Sequence, residues 1–305
     1  IDGKKHWIFH GDIFDHTTKG GAKFIAKIGG IGYDWLILLN RGINWLLTLM
    51  GRNKVSLSKK IKNSVKKAVK FLADFEEKAI ELAKKTGARL HVFHLSTAKE
   101  MDLFTNKIPL EEKQITAEVC IHHLWFTDAD YEKKGAFIKW NPAVKTQEDK
   151  DALWKALLDD RIDVIATDHA PHTLEEKLNP YVTCPSGGPL VQHALVAMFE
   201  KHHQGKISVE KIVEKMCHNP AKIFKIEKRG FIREGYFADI AIVNAYLPWN
   251  VKKENILAKC GWSPFEGFNF KSRITHTFVN GKLVFTNGKV KEIKVAQRLL
   301  FERTI

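Results

Sequence analysis

Three short apolar runs between residues 89 and 167 each end in polar residues, and this pattern predicts buried parallel strands. The runs are Arg89–Leu95, Ile115–Leu124 and Val164–Thr167. The residues between them are enough for a helix after each strand, as in successive βα units. Gly87 is expected to stop a helix just before the first run. We therefore predict an α/β fold of the TIM-barrel type for this region.

Imidazole and carboxylate side chains lie at the carboxyl-terminal end of each predicted strand, either within its last residues or just after it. They are His94, His122, His123, Asp168 and His172. The carboxyl-terminal ends of barrel strands are where such folds keep their chemistry. A carboxylate beside histidines binds zinc or transfers protons near neutral pH. The alternative is that these are hydrogen-bonded core histidines and strand-end caps. If the second strand continues through His122 and His123, at most one of them faces the barrel mouth.

Residues 1–82 have a different pattern. Two apolar stretches, Trp35–Leu39 and Ile43–Met50, are each shorter than the ~20 residues that span a bilayer. An amphipathic helix is expected after Ser56 or Ser58, with apolar positions recurring as far as Ala79. The positive charge is concentrated in its Lys59–Lys70 part. We predict contact of residues 31–70 with a membrane surface or a neighbouring protein, and a solvated helix face is the alternative.

Composition narrows the function classes. Hydrophobic residues make up 44% of the 305-residue chain, which is ample for a folded core. The net charge is +14, and half of that excess falls within residues 1–82. We expect no nucleic-acid partner. The four cysteines are scattered without a CxxC pair, which favours a reducing compartment, and we expect a cytoplasmic protein.

From about Ala83 onward the sequence resembles dihydroorotase, in the amidohydrolase superfamily. The motifs that carry this resemblance are HVFHLST, AEVCIHHL, NPAVK, IATDHAPH, PSGGPLVQHAL and NPAKIF. The resemblance implies the C-terminal portion of a TIM-type (β/α)8 barrel over residues 83–225, with the last three βα units. It also implies part of a small β-sandwich over residues 226–305. A hairpin with an Asn280-Gly281 turn is expected there.

The same resemblance implies a chemistry and its residues. The family reversibly hydrolyses dihydroorotate to N-carbamoyl-aspartate in pyrimidine synthesis, with one or two zinc ions. By resemblance His94 and Asp168 are metal ligands, and Asp168 is also the catalytic acid and base. Asn141, His172, Gly187 and Gly188 are expected to bind the substrate. The family takes its other metal ligands from earlier strands, and no matching residues for them occur, so we expect an incomplete ligand set.

Residues 1–82 resemble a fragment of a different family. IDGKKHWIFHGDIFD and SLSKKIKNSVKKAVKF are similar to UDP-2,3-diacylglucosamine pyrophosphatase-like metallophosphoesterases. That resemblance implies a mainly helical fragment in which His10 is a remnant metal ligand. The two resemblances together imply a chimeric chain with a junction near residues 79–84.

Two other functions remain open at this stage. The chain could be a non-catalytic fragment or a pseudo-dihydroorotase that scaffolds a partner such as aspartate transcarbamoylase or a second copy of itself. A hydantoinase-like or allantoinase-like amidohydrolase is the alternative at the level of the substrate. Zinc stoichiometry separates an enzyme from a scaffold, because a scaffold needs no metal.

Overall fold

A parallel sheet of three strands carries the candidate site in the computed structural model, which describes residues 76–302. Its strands are β1 (Leu90–Val92), β2 (Ile115–Cys120) and β3 (Val164–Ala166), in the order β1-β2-β3. Leu90 lies opposite Ile115, and Cys120 lies opposite Ala166. The prediction of three parallel strands in this order along the chain is confirmed.

The strands are shorter than predicted at their carboxyl-terminal ends. β1 ends at Val92, and His94 has a φ of 41°. A residue with positive φ cannot continue an extended strand, so the chain turns away there. β2 ends at Cys120, and a helix begins at once with Ile121. The prediction of a strand as far as Leu124 is therefore wrong, and strand alternation does not decide where His122 and His123 lie.

Eight α-helices surround these strands within the described residues. They are α1 (76–86), α2 (Ile121–Trp125), α3 (Tyr131–Lys134), α4 (Gln147–Leu158), α5 (Leu174–Lys177), α6 (Val191–His203), α7 (Val209–Val213) and α8 (Asn219–Ile223). A π-helical turn, Glu214–His218, joins α7 to α8. Short 3-10 turns lie at Ala98–Leu103, Leu110–Glu112, Asp128–Asp130, Gly135–Ile138 and Lys253–Asn255. Gly87, with a φ of 70°, follows α1 as predicted.

The apolar core lies between the parallel sheet and its helices. Ala117 and Val119 of β2 are fully buried. Helix α4 begins with a capping box on Thr146 and buries Leu153 and Leu157 in the same cluster. The capping box is reciprocal, because the Thr146 hydroxyl accepts from the Asp149 backbone while the Asp149 carboxylate accepts from the Thr146 backbone. This packing makes a rigid base beneath the strand ends.

The C-terminal region forms an antiparallel sheet of four strands. They are β4 (Ile240–Asn244), β7 (Arg273–Val279), β8 (Lys282–Thr286) and β9 (Lys289–Val290), in the order β4-β7-β8-β9. A separate pair is formed by β5 (Trp249–Asn250) and β6 (Asn269–Phe270). Asn280 and Gly281 have φ values of 49° and 75°, so the predicted hairpin turn is confirmed. Every residue of β7 is only half-buried. Within the described residues 226–302 we find no second sheet layer that would complete the predicted β-sandwich.

Both sheets belong to one compact unit, Ile80–Arg303. No helix in the described range is both long enough and apolar enough to cross a membrane. The predicted metallophosphoesterase-like segment lies largely outside the described residues. His10 and the predicted surface contact of residues 31–70 lie outside them entirely.

Candidate active site

The two residues expected to bind metal occupy equivalent backbone positions. His94 follows β1 and Asp168 follows β3, with φ values of 41° and 45°. Both side chains belong to half-buried residues at the carboxyl-terminal end of the parallel sheet. A left-handed conformation costs a non-glycine residue about 1–2 kcal/mol, and such strain concentrates at functional sites. The fold therefore holds both residues in a backbone conformation that costs stability.

Between them, a stack of three aromatic side chains lies behind the end of β2. The rings of His122 and His123 are 4.0 Å apart, and His122 is stacked on Trp140 at 4.3 Å. All three are buried. Both ring nitrogens of His122, Nδ1 of His123 and Nε1 of Trp140 have no hydrogen-bond partner. Buried polar atoms normally have partners, so this concentration of unpaired ones marks the place as a candidate ligand-binding region.

Burial keeps both histidines neutral at physiological pH. It lowers the pKa of His122 well below its ordinary value, and the neighbouring His123 and His94 lower it further. Burial also lowers the pKa of His123 to about 3, against a hydrogen bond to the Pro142 carbonyl. His123 donates that bond from Nε2 at 3.1 Å, so its Nδ1 carries a free lone pair.

Asp168 also acts on the end of β2. Burial raises the pKa of the Cys120 thiol well above its ordinary value, and the carboxylates of Glu118 and Asp168 raise it further. His94 and Asp168 thus both exert charge effects on residues at the end of β2. The structure therefore brings His94, Asp168 and the His122–His123 pair to the same edge of the sheet.

The Gly187-Gly188 loop closes against this edge. A Cβ on Gly187 would lie 2.3 Å from the Ala170 carbonyl oxygen, and the φ of Gly187 is 121°. A Cβ on Gly188 would lie 2.7 Å from the Trp140 ring. Only glycine permits both approaches. The loop therefore packs between the segment after Asp168 and the aromatic stack.

Two lysines hydrogen-bond to the backbone of this loop. The Lys177 ammonium is buried and donates to the carbonyl oxygens of Pro185 and Gly187 at 3.0 and 2.9 Å. The Lys139 ammonium donates to the Cys184 carbonyl, and the Lys139 carbonyl accepts from the Gly187 backbone N–H at 2.8 Å. The N–H of Gly187 is thus already used within the protein.

The remaining expected substrate residues lie around the same loop. His172 is 3.5 Å from the Glu176 carboxylate, and its carbonyl accepts from the Trp262 indole at 2.8 Å. Trp262 also lies against Gly188. Asn141 is exposed and directly follows Trp140, at the cis peptide bond to Pro142.

The described residues do not by themselves fit a zinc centre. Within residues 76–302, no three His, Cys, Asp or Glu side chains come together as a group that could hold a metal ion. His123 has one feature of a zinc ligand, since its Nε2 bonds a backbone carbonyl and its Nδ1 has no partner. A single such donor does not make the tetrahedral site that zinc prefers.

A family comparison decides the assignment. The profile of the amidohydrolase family matches residues 57–284. The chain belongs to the amidohydrolase family. The match includes residues 57–82, which the sequence analysis assigned to a metallophosphoesterase-like fragment, and the predicted junction near residues 79–84 falls inside it. The comparisons support the amidohydrolase resemblance and give the metallophosphoesterase resemblance no support.

Individual amidohydrolases of known name are similar to this chain. The dihydroorotase of Pyrococcus furiosus is 36% identical over 214 residues, which cover 70% of this chain and 49% of that protein. The dihydroorotase of Carboxydothermus hydrogenoformans is 39% identical over 266 residues, covering 86% and 59%. Among solved structures, the L-hydantoinase of Arthrobacter aurescens superposes with a TM-score of 0.65 at 28% identity, covering 70% and 49%. The chain spans about half the length of the curated relatives it matches.

Three residues of this candidate site were not expected from the sequence. Trp140 completes the aromatic stack, Lys177 holds the glycine loop, and His169 bonds the start of helix α6. His169 lies inside the IATDHAPH motif, so its position in the sequence could have indicated a role at the site. Lys177 gave none, because lysines are almost always exposed.

Proposed function

We propose that this chain contributes the C-terminal half of a dihydroorotase-type active site, which reversibly hydrolyses dihydroorotate to N-carbamoyl-aspartate. One observation carries the proposal: His94 and Asp168, both in a strained backbone conformation, share an edge of the parallel sheet with the glycine loop. Similarity to dihydroorotases at 36% and 39% identity supports the choice of reaction.

The proposed roles follow from the chemistry of the reaction. Water adds to a ring amide carbon, the ring C–N bond breaks, and the nitrogen gains a proton. The Asp168 carboxylate accepts the proton from the attacking water and returns it to the leaving nitrogen. His172 and Asn141 bind the polar groups of the substrate, which carries a carboxylate and ring amides. The loop of Gly187 and Gly188 offers a close backbone approach to a flat ring, because no side chain intervenes.

The test is ring opening of dihydroorotate by the full chain, with zinc supplied in the buffer. We expect any turnover to be abolished by Asp168→Asn, because the amide cannot accept the proton. Asp151→Asn is the matched control, since Asp151 is exposed on α4 and its carboxylate contacts Gln147 and Lys206, which are not residues of the candidate site. Folded wild-type protein without turnover, or equal turnover in the Asp168 variant, refutes the proposal.

A hydantoinase-type reaction is the second candidate. The L-hydantoinase of Arthrobacter aurescens has the same fold over the matched part at 28% identity, and both reactions open a cyclic amide. The ratio of kcat/KM for dihydroorotate to that for a 5-substituted hydantoin decides between them. Dihydroorotate carries a ring carboxylate that a hydantoin with an apolar substituent lacks, so a site built for it rejects the hydantoin strongly.

A non-catalytic role is favoured by one further observation. The described residues do not form a metal-binding group. Zinc content of the purified full chain separates this role from the enzymatic ones. Less than one zinc ion per chain, together with no turnover, supports a scaffold.

A further inference from the structure

His169 makes a contact that the proposed chemistry does not require. Its Nδ1 accepts hydrogen bonds from the backbone N–H groups of Leu190 and Val191, at 3.0 and 3.2 Å. Leu190 is the N-cap residue of helix α6, and its own side chain makes no cap. The first N–H groups of a helix have no partner inside the helix. His169 therefore caps α6 from a segment 21 residues away.

The contact defines which tautomer the His169 ring adopts. An atom that accepts N–H bonds must hold a lone pair, so the proton of the neutral imidazole lies on Nε2. His169 also forms a parallel backbone bridge with Gly188. One residue thus joins the Asp168 segment to the glycine loop through its backbone and to α6 through its side chain.

We propose that His169 is a positioning residue that holds the Gly187-Gly188 loop in place beside Asp168. The spacing of the three segments supports this role. Asp168 precedes His169 directly, Gly188 pairs with it, and Leu190 follows Gly188 by two residues. The side-chain bonds to Leu190 and Val191 close this circuit, so the loop cannot move from Asp168 without breaking them. The consequence for substrate binding rests on the dihydroorotase-type function proposed above.

Three substitutions test the roles of the two ring nitrogens of His169 separately. His169→Asn places its amide oxygen near the position of Nδ1 and keeps the acceptor. His169→Gln places its amide oxygen near the position of Nε2, and His169→Ala removes the acceptor. All three are made in the full chain, and a denaturation midpoint shows that each variant is folded.

Hydrogen exchange measured at individual backbone amides tests the proposal without an enzyme activity assay. We expect exchange at Leu190 and Val191 to rise about five- to tenfold in the Ala and Gln variants, as for loss of a helix cap, and to stay near wild type in Asn. A positioning role also raises exchange at Gly187, whose N–H bonds the Lys139 carbonyl. Faster exchange at Leu190 and Val191 alone means that His169 only caps the helix. Unchanged exchange in the Ala variant means that the side-chain bonds do not hold the loop. Either result overturns the proposal.

Kinetics then connect the loop to the substrate. With dihydroorotate we expect KM to rise about tenfold in Ala and Gln, with a smaller change in kcat and recovery in Asn. Equal KM values in all variants, in an active wild-type enzyme, overturn the role in substrate binding. If the wild type has no turnover, the proposed function fails, whereas the exchange at Gly187 still reports on His169.

Discussion

Replacing Gly187 with alanine tests the close approach that shapes the candidate site. The new Cβ would lie 2.3 Å from the Ala170 carbonyl oxygen and 3.0 Å from the Ala170 Cβ. The first contact is with backbone and cannot be relieved by a rotamer change. In addition, the φ of 121° is a conformation that residues with a side chain rarely adopt.

Two costs add in this variant. Backbone strain in this region of φ is worth about 1–3 kcal/mol for a residue with a Cβ. Overpacking a close-fitting site costs typically about 1–3 kcal/mol more. We therefore expect Gly187→Ala to lower the free energy of unfolding by about 2–6 kcal/mol. The Ala170 segment must otherwise shift, which moves the neighbouring Asp168 and lowers any dihydroorotate turnover.

Gly205→Ala is the matched control. Its φ is 72°, and a Cβ there meets nothing within 4 Å, so only the strain of about 1–2 kcal/mol applies. Urea denaturation followed by tryptophan fluorescence and by circular dichroism measures both variants. A cost at Gly187 no larger than that at Gly205 would refute the reasoning, because the contact with Ala170 would then impose no constraint.

Three further outcomes are expected. Lys177→Met leaves two buried carbonyls without their donor and should lower the free energy of unfolding by about 1–3 kcal/mol, whereas the same change at an exposed lysine should cost under ~0.5 kcal/mol in the same urea assay. Lys113→Met leaves the Asp163 carboxylate, 3% exposed and 2.7 Å from the ammonium, without its partner and should cost about 3–5 kcal/mol. The double variant with Asp163→Leu should be more stable than this single one, and an equally unstable double variant would contradict the argument. Burial lowers the pKa values of His123 and His193 to about 3 and about 4, so the folded state leaves them neutral where the unfolded state protonates them. Burial also lowers the pKa of His122, so three histidines act in the same direction. Their stabilisation is fully present above pH 6.5 and is lost as pH falls, so the free energy of unfolding should drop by about 3.5 kcal/mol between pH 7 and 5.5. A constant value over that range would contradict it.

Local signals account for the elements that the sequence predicted correctly. Each apolar run buried between turn residues became a parallel strand, although shorter than its run. Asn280-Gly281 sits in the turn that its positive φ values suit. The signal for the site residues was equally local, since His94 and Asp168 stand at the carboxyl-terminal ends of apolar runs.

Tertiary contacts decided what the sequence did not show. The apolar run through Ile121 and Leu124 continues as a helix, and periodicity alone does not distinguish a short helix from a strand. Strand alternation therefore does not apply to His122 and His123. The stack of His122 on Trp140 depends on a residue from a different segment of the chain. The roles of Asn141, His172, Gly187 and Gly188 in binding a substrate stay predictions.

The buried ammonium of Lys177 gives the glycine loop a chemical reporter. An amine-reactive label attacks only a lysine that solvent reaches, and Lys177 is 1% exposed while its donors are engaged by Pro185 and Gly187. Labelling at this lysine therefore requires the loop to open first. Its rate measures how often the loop leaves the strand ends, and a ligand held beneath the loop would slow that rate without any change at the exposed lysines.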